Sequence, residues 1–193
     1  MISEHILMDE GKQKELAVAF YLAPVVLGVK PASLLAFWSV ELKEYEAVTS
    51  RLGIQSVILD EYHGKSYVLF YDRELLLRTM ESSGSKEVLK MFGYEGTQLE
   101  PLIHRVSLRL QKCHRRKEAE FPHEIGIMLG YPHLDVLGYI EHHGKEALYD
   151  GYWKVYDDVA KAKEIFLQYD IAKKVLLQYV ITHSLHEKKV ERQ

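Results

Sequence analysis

The spacing of apolar positions changes period along the chain, and each change predicts an element. Residues 10–22 have helical spacing, and Ala23-Pro24 predicts their end, because a residue before proline is pushed out of the helical region. The apolar run from Leu34 to Val40, with Phe37 and Trp38, predicts a strand near 35–40. Leu42, Tyr45 and Val48 then predict a helix over 41–51 that Gly53 stops. Ser56-Val57-Ile58-Leu59 and Tyr67-Val68-Leu69-Phe70-Tyr71 lie either side of His63-Gly64. β-branched and aromatic runs about a glycine turn predict a hairpin over 54–71, with Leu59 and Leu69 on one face. Helical spacing returns over 73–80, over 85–92 up to Gly93, and over 97–116, where Leu99, Leu102, Val106, Leu110 and Cys113 form one apolar stripe.

The segment 121–140 is punctuated differently. Pro122 suits a first helical position, Gly130 a left-handed cap, and Pro132 prevents continuation, so the segment predicts a compact helix pair over 122–130 and 133–143. Residues 151–156 predict a last strand. Asp157 or Asp158 then caps a long C-terminal helix, with a break expected near Asp170. The expected fold is α+β: a mostly helical single domain over 1–193, with a small sheet made from the strand near 35–40, the hairpin 54–71 and the strand 151–156. The order resembles a split β-α-β core, and the tail, about 186–193, is expected to be flexible.

Composition narrows the setting. With 193 residues, 47% of them apolar, the chain can build a core without disulfides or a structural metal. The lone Cys113 excludes an intramolecular disulfide and fits a reducing, cytoplasmic compartment. Twenty-five Lys+Arg against 28 Asp+Glu give a net charge of -3, which disfavours a dedicated nucleic-acid binder. Leu16 to Val29, the most apolar stretch, contains Pro24 and falls short of the ~20 residues of a membrane span, and the start of the chain lacks a secretory pattern. No phosphate-binding Gly-Lys-Ser/Thr loop, GxGxxG, GxSxG, HExxH or CxxC motif occurs, so the sequence names no cofactor.

Phe121-Pro-His-Glu-Ile-Gly, Leu129-Gly-Tyr-Pro132, Asp135-Val136 and Gly151-Tyr-Trp-Lys-Val-Tyr156, together with Ala23-Pro24 and Lys30-Pro-Ala-Ser-Leu34, carry a resemblance. In these motifs, across nearly its whole length, the chain resembles an uncharacterised bacterial family of small proteins known as a domain of unknown function. The resemblance implies a single-domain cytoplasmic protein and supplies no activity, cofactor or catalytic residue.

Three chemistries are open on the residues themselves. The first is a binding or regulatory module acting through the 121–140 helix pair and the 151–156 strand. Its ligand candidates are the basic side chains Arg109, Arg115 and Arg116 and the aromatic side chains Tyr131 and Trp153, with an unknown small molecule or protein, or a second copy of the chain, as partner. The second is an enzyme with an acid-base or metal site at His123 and Glu124. A histidine titrating near neutrality beside a carboxylate suits that role, and His133 and Asp135 are further metal candidates. Against it stands the reading in which Glu124 complements a helix dipole and His123 caps the backbone. The third is a helix-turn-helix nucleic-acid binder with its turn at Gly130. Its would-be recognition helix, residues 133–141, holds no Arg, Lys, Asn, Gln, Ser or Thr with which to read bases or phosphates.

Overall fold

A three-stranded antiparallel sheet lies between two layers of helices in the computed structural model of the chain, which describes residues 10–38, 42–96, 98–116 and 119–183. The central strand β3, Lys65–Tyr71, pairs with β1, Ala32–Trp38, on one side and with β2, Gln55–Tyr62, on the other. The outer strands therefore run parallel to each other and are joined through helix α2, Leu42–Arg51, with β3 inserted between them. This is the split β-α-β arrangement expected from the order of elements. The residues of β3 alternate between two cores, Leu69 and Tyr71 facing one and Val68 and Phe70 the other, which is why its sequence is continuously apolar. The β2–β3 turn has His63 at φ 49° and Gly64 at φ 76°, the double positive φ of the type I′ hairpin.

The register slips between Ile58 and Asp60 in a β-bulge at Leu59. The bulge puts two neighbouring side chains, Leu59 and Asp60, into the interior. Leu59 joins Leu69 in one core, as the hairpin pattern predicts, while its carbonyl accepts from the Ser107 hydroxyl and from Gln111 Nε2 at 3.1 Å. Asp60 accepts from His114 Nδ1 at 2.6 Å and Arg115 Nη2 at 2.8 Å. Helix α5, Leu99–Arg115, which contributes Ser107, Gln111, His114 and Arg115, is thereby anchored along the bulged edge.

On that face α5 packs with α3, Arg73–Glu81, and α4, Ser83–Met91, which are capped by Asp72 and Ser82. The opposite face carries α1, Glu10–Val26, and the second half of α8, Val159–Thr182. Helix α1 runs past the end predicted at Ala23-Pro24. Proline in the last turn removes one hydrogen bond, the one to the carbonyl of Phe20, and Phe20 is exposed, so water can satisfy that group. Pro24 keeps its own acceptor role, receiving the amides of Val29 and Lys30 at 2.9 Å. Helix α8 is also unbroken at Asp170, whose side chain accepts from the Tyr152 hydroxyl instead of competing for the helical backbone.

Other differences bear on the site. The strand expected near 35–40 begins at Ala32, because β3 extends to Tyr71 and carries the pairing back to Ala32; residues 39–40 lie outside the described residues, as does the 186–193 tail. The 151–156 segment does not join the sheet. It forms a separate two-stranded hairpin, β4, Tyr149–Asp150, with β5, Lys154–Val155, so its hydrogen bonds are local. Of the expected helix pair, the first member is one turn, α6, Ile125–Met128, entered through a tight turn at 122–124. The second is α7, His133–Glu141.

Candidate functional site

A concavity of about 600 Å3 opens between Leu34 of β1, the α6–α7 segment and the β4–β5 hairpin. Its walls are built by residues that let backbones close up. Gly130 turns the chain with φ +78°, the left-handed conformation that favours glycine, and brings it against Pro31. A methyl group at Gly138 would meet Tyr156 Cβ at 2.4 Å, so bare backbone on α7 is what lets the hairpin seat there. Tyr131 stacks on Trp153 with ring centroids 5.1 Å apart and a 27° interplanar angle, and both rings line the cavity. Two of the sequence candidates are therefore brought together.

Asp135 also lines the cavity and is buried, with both carboxylate oxygens accepting hydrogen bonds. Oδ2 accepts from Trp153 Nε1 at 2.7 Å, and Oδ1 accepts from the amides of Tyr156 at 2.7 Å and Asp157 at 3.0 Å. The carboxylate ties α7 to the hairpin.

His123 and Glu124 part company. His123 is half-buried on the cavity wall, its ring 5.0 Å from that of Tyr139 and 5.5 Å from that of Phe121. Burial holds its pKa below the usual histidine value, which favours a neutral imidazole, able to donate and to accept, at pH 7. Glu124 turns the other way, fully buried, and accepts from Tyr94 Oη at 2.7 Å and Arg109 Nη1 at 2.5 Å. It stands at the N-cap of α6 but makes no side-chain cap bond there, and its hydrogen bonds go to Tyr94 and Arg109 and not to His123. Burial first, and then the bond to Glu124, pushes the Tyr94 phenol well above its usual range.

His133 lies against Gly84 of α4. Among the described residues no group of three or more His, Cys, Asp or Glu side chains converges to hold a metal ion. The metal set His123, Glu124, His133 and Asp135 is thus dispersed, because Glu124 and Asp135 each serve internal donors on different sides of α6 and α7. The basic cluster is dispersed too. Arg109 is paired with Glu124 and Arg115 with Asp60, so neither guanidinium is left to form an anion pocket, and Arg116 is an exposed residue beyond the end of α5. Asp60 is itself pushed up by burial but pulled further down by the bonds from Arg115 and His114, for a net pKa below the ordinary carboxylate value. Cys113 is half-buried, not interior. A helix-turn-helix needs two helices, and one turn at α6 does not supply the first.

Several site residues escape sequence reasoning. Tyr139, Asp150 and Lys154 also border the cavity. A smaller cavity of about 150 Å3 adjoins it, sharing Leu34, Leu129, Tyr131 and Tyr152, and is lined by Lys30 and Lys173. Lys30 sits between apolar runs in the sequence, the one signal that could have marked it. The arrangement as a whole suits retention of a molecule by shape and stacking, with a few polar groups to orient it.

Comparison with known proteins adds a family. The sequence model of a family described as a protein of unknown function (DUF3793) matches residues 18–188. No curated protein and no solved structure matches the chain. Among the described residues no helix is long and apolar enough to cross a membrane.

Proposed function

The chain belongs to the DUF3793 family, and we propose that it is a binding module that takes a small, largely apolar molecule into the cavity between α7 and the β4–β5 hairpin. The observation that carries this reading is the cavity itself: about 600 Å3, walled by Leu34, Val136, Tyr131, Tyr139 and Trp153, with His123, Asp150 and Lys154 at its border. That size falls within the about 300–1,000 Å3 of small-molecule sites, and the mix of aromatic walls and sparse polar groups is their usual lining. The stacked Tyr131 and Trp153 rings, held in place by Asp135, offer a preformed face for a planar ligand. Regulation would follow if occupancy changes how the hairpin sits on α7. The single cysteine among 193 residues goes with a cytoplasmic setting.

The test is a fluorescence titration with N-phenyl-1-naphthylamine, a neutral aromatic probe. Saturable one-site binding is expected, weakened at least tenfold by Leu34→Trp, which fills the cavity from a half-buried strand position. Absence of saturable binding, or binding indifferent to that substitution, would remove the reading.

A further inference from the structure

Lys30 and Lys173 come together from distant parts of the chain at the smaller cavity. Lys30 lies just before β1, and its Nζ is 3.2 Å from Ser33 Oγ, 6.0 Å from the Tyr131 ring centre and 5.7 Å from that of Tyr169. Lys173 reaches in from α8, with Nζ 4.6 Å from the Tyr152 ring centre and 5.2 Å from that of Phe20. No ion pair to either ammonium occurs among the described residues. Asp170, one turn earlier on α8, is engaged by the Tyr152 hydroxyl at 2.6 Å. Two half-buried positive groups thus share a cavity lined by aromatic rings, with no carboxylate paired to either among the described residues.

We infer that this lysine pair is the seat for the anionic head of the ligand, whose apolar body occupies the adjoining larger cavity. The inference rests on the binding reading above and deepens it by naming a ligand class: an organic anion, a carboxylate, sulfonate or phosphate carried on an apolar, planar body. Two features support it. The tyrosine faces give each ammonium partial compensation through the ring quadrupole, which holds the cations in place without neutralising them. Burial, and then repulsion from Lys173, pulls the Lys30 pKa down to about 8, so the free site carries a strain that an incoming anion relieves. The shared walls Leu34, Leu129, Tyr131 and Tyr152 make the two cavities one amphipathic site, polar at the lysine end and apolar at the Trp153 end.

The test compares two probes of similar aromatic body on the full chain at pH 7: 8-anilinonaphthalene-1-sulfonate, an anion, and neutral N-phenyl-1-naphthylamine. Lys30→Met is expected to weaken the sulfonate at least tenfold and Lys173→Gln severalfold, while the neutral probe's affinity stays within twofold in both. Raising the pH from 7 to 9.5 is expected to weaken the sulfonate alone, as Lys30 loses its proton. Both lysines are half-buried, and Lys173→Gln on α8 gives the comparison a second variant independent of the turn before β1. Unchanged sulfonate affinity in the variants, with the neutral probe still binding, would overturn the anion seat and leave the cavity reading standing. Failure of the neutral probe to bind the wild type would overturn the cavity reading, and the seat with it.

Discussion

The indole N–H of Trp153 donates to Asp135 Oδ2 at 2.7 Å, and through that bond α7 fixes one wall of the cavity. Both residues are buried, and the other Asp135 oxygen accepts two backbone amides, so the carboxylate is satisfied by three donors. A neutral amide cannot accept on both sides. Asp135→Asn therefore leaves a donor facing a donor, and we expect it to lower unfolding free energy by about 1–3 kcal/mol in urea denaturation. In a Trp153→Phe background the same substitution should cost measurably less, because the indole donor is gone. Equal cost in the two backgrounds would contradict the pairing.

Glu124 is a structural carboxylate. Its Oε1 binds Arg109 and Tyr94 in the interior, and Oε2 is buried with no partner. Arg109 is partly open to solvent, which screens the pair, so Glu124→Gln is expected to cost about 2 kcal/mol in thermal or urea unfolding and not the full cost of a deeply buried pair. Affinity for the neutral naphthylamine probe should stay within twofold. A variant of unchanged stability that loses binding would return Glu124 to the site.

His123 is the reverse case. Its ring makes aromatic contacts with Phe121 and Tyr139 and lies on the cavity wall. His123→Ala should cost about 1 kcal/mol, the scale of two aromatic contacts made by a half-buried ring. It should change probe affinity more than it changes stability, as paired titration and denaturation of the same variant will show.

Lys30 predicts an unusual pH profile. Its pKa in the folded chain lies near 8, against 10.5 for the free side chain, with Lys173, Ser33, Tyr131 and Tyr169 facing it. Below pH 8 the lysine is charged in both folded and unfolded states, so the fold bears the full cost of the buried charge. Between pH 8 and 10.5 the folded state sheds the proton while the unfolded state keeps it, and that cost fades. Lys30→Met should therefore be more stable than wild type at pH 7, by at most about 3 kcal/mol. The advantage should shrink steadily from pH 8 to 10.5. A stability difference constant across that range would contradict a desolvated Lys30.

The sequence spoke most clearly where interactions are local. The type I′ turn at His63-Gly64 and the stripe Leu99, Leu102, Val106 and Leu110 carry their structural reasons within a few residues, and both elements form as their patterns predict. The 151–156 strand was legible as extended chain, but whether it pairs with the sheet or with its own neighbour depends on where α7 and α8 place it. Pro24 misleads because a general bias against helix before proline costs little in a last turn whose freed carbonyl belongs to an exposed residue. In the site, Tyr131 and Trp153 stood out as aromatic residues in punctuated segments, and they do stack. The Arg109–Glu124 pair and the Lys30–Lys173 pair join residues on different elements, and no local spacing announces them.

The most direct test of the cavity is an NMR titration of 15N-labelled protein with N-phenyl-1-naphthylamine, read at the two tryptophan indole N–H signals. Trp153 is buried against the cavity and bonded to Asp135, whereas Trp38 is exposed at the end of β1 and packs near Lys65. The account predicts a saturable shift of the Trp153 indole signal with Trp38 unmoved. A probe that shifts Trp38 alone, or leaves the Trp153 signal where it began at saturating concentration, would contradict it.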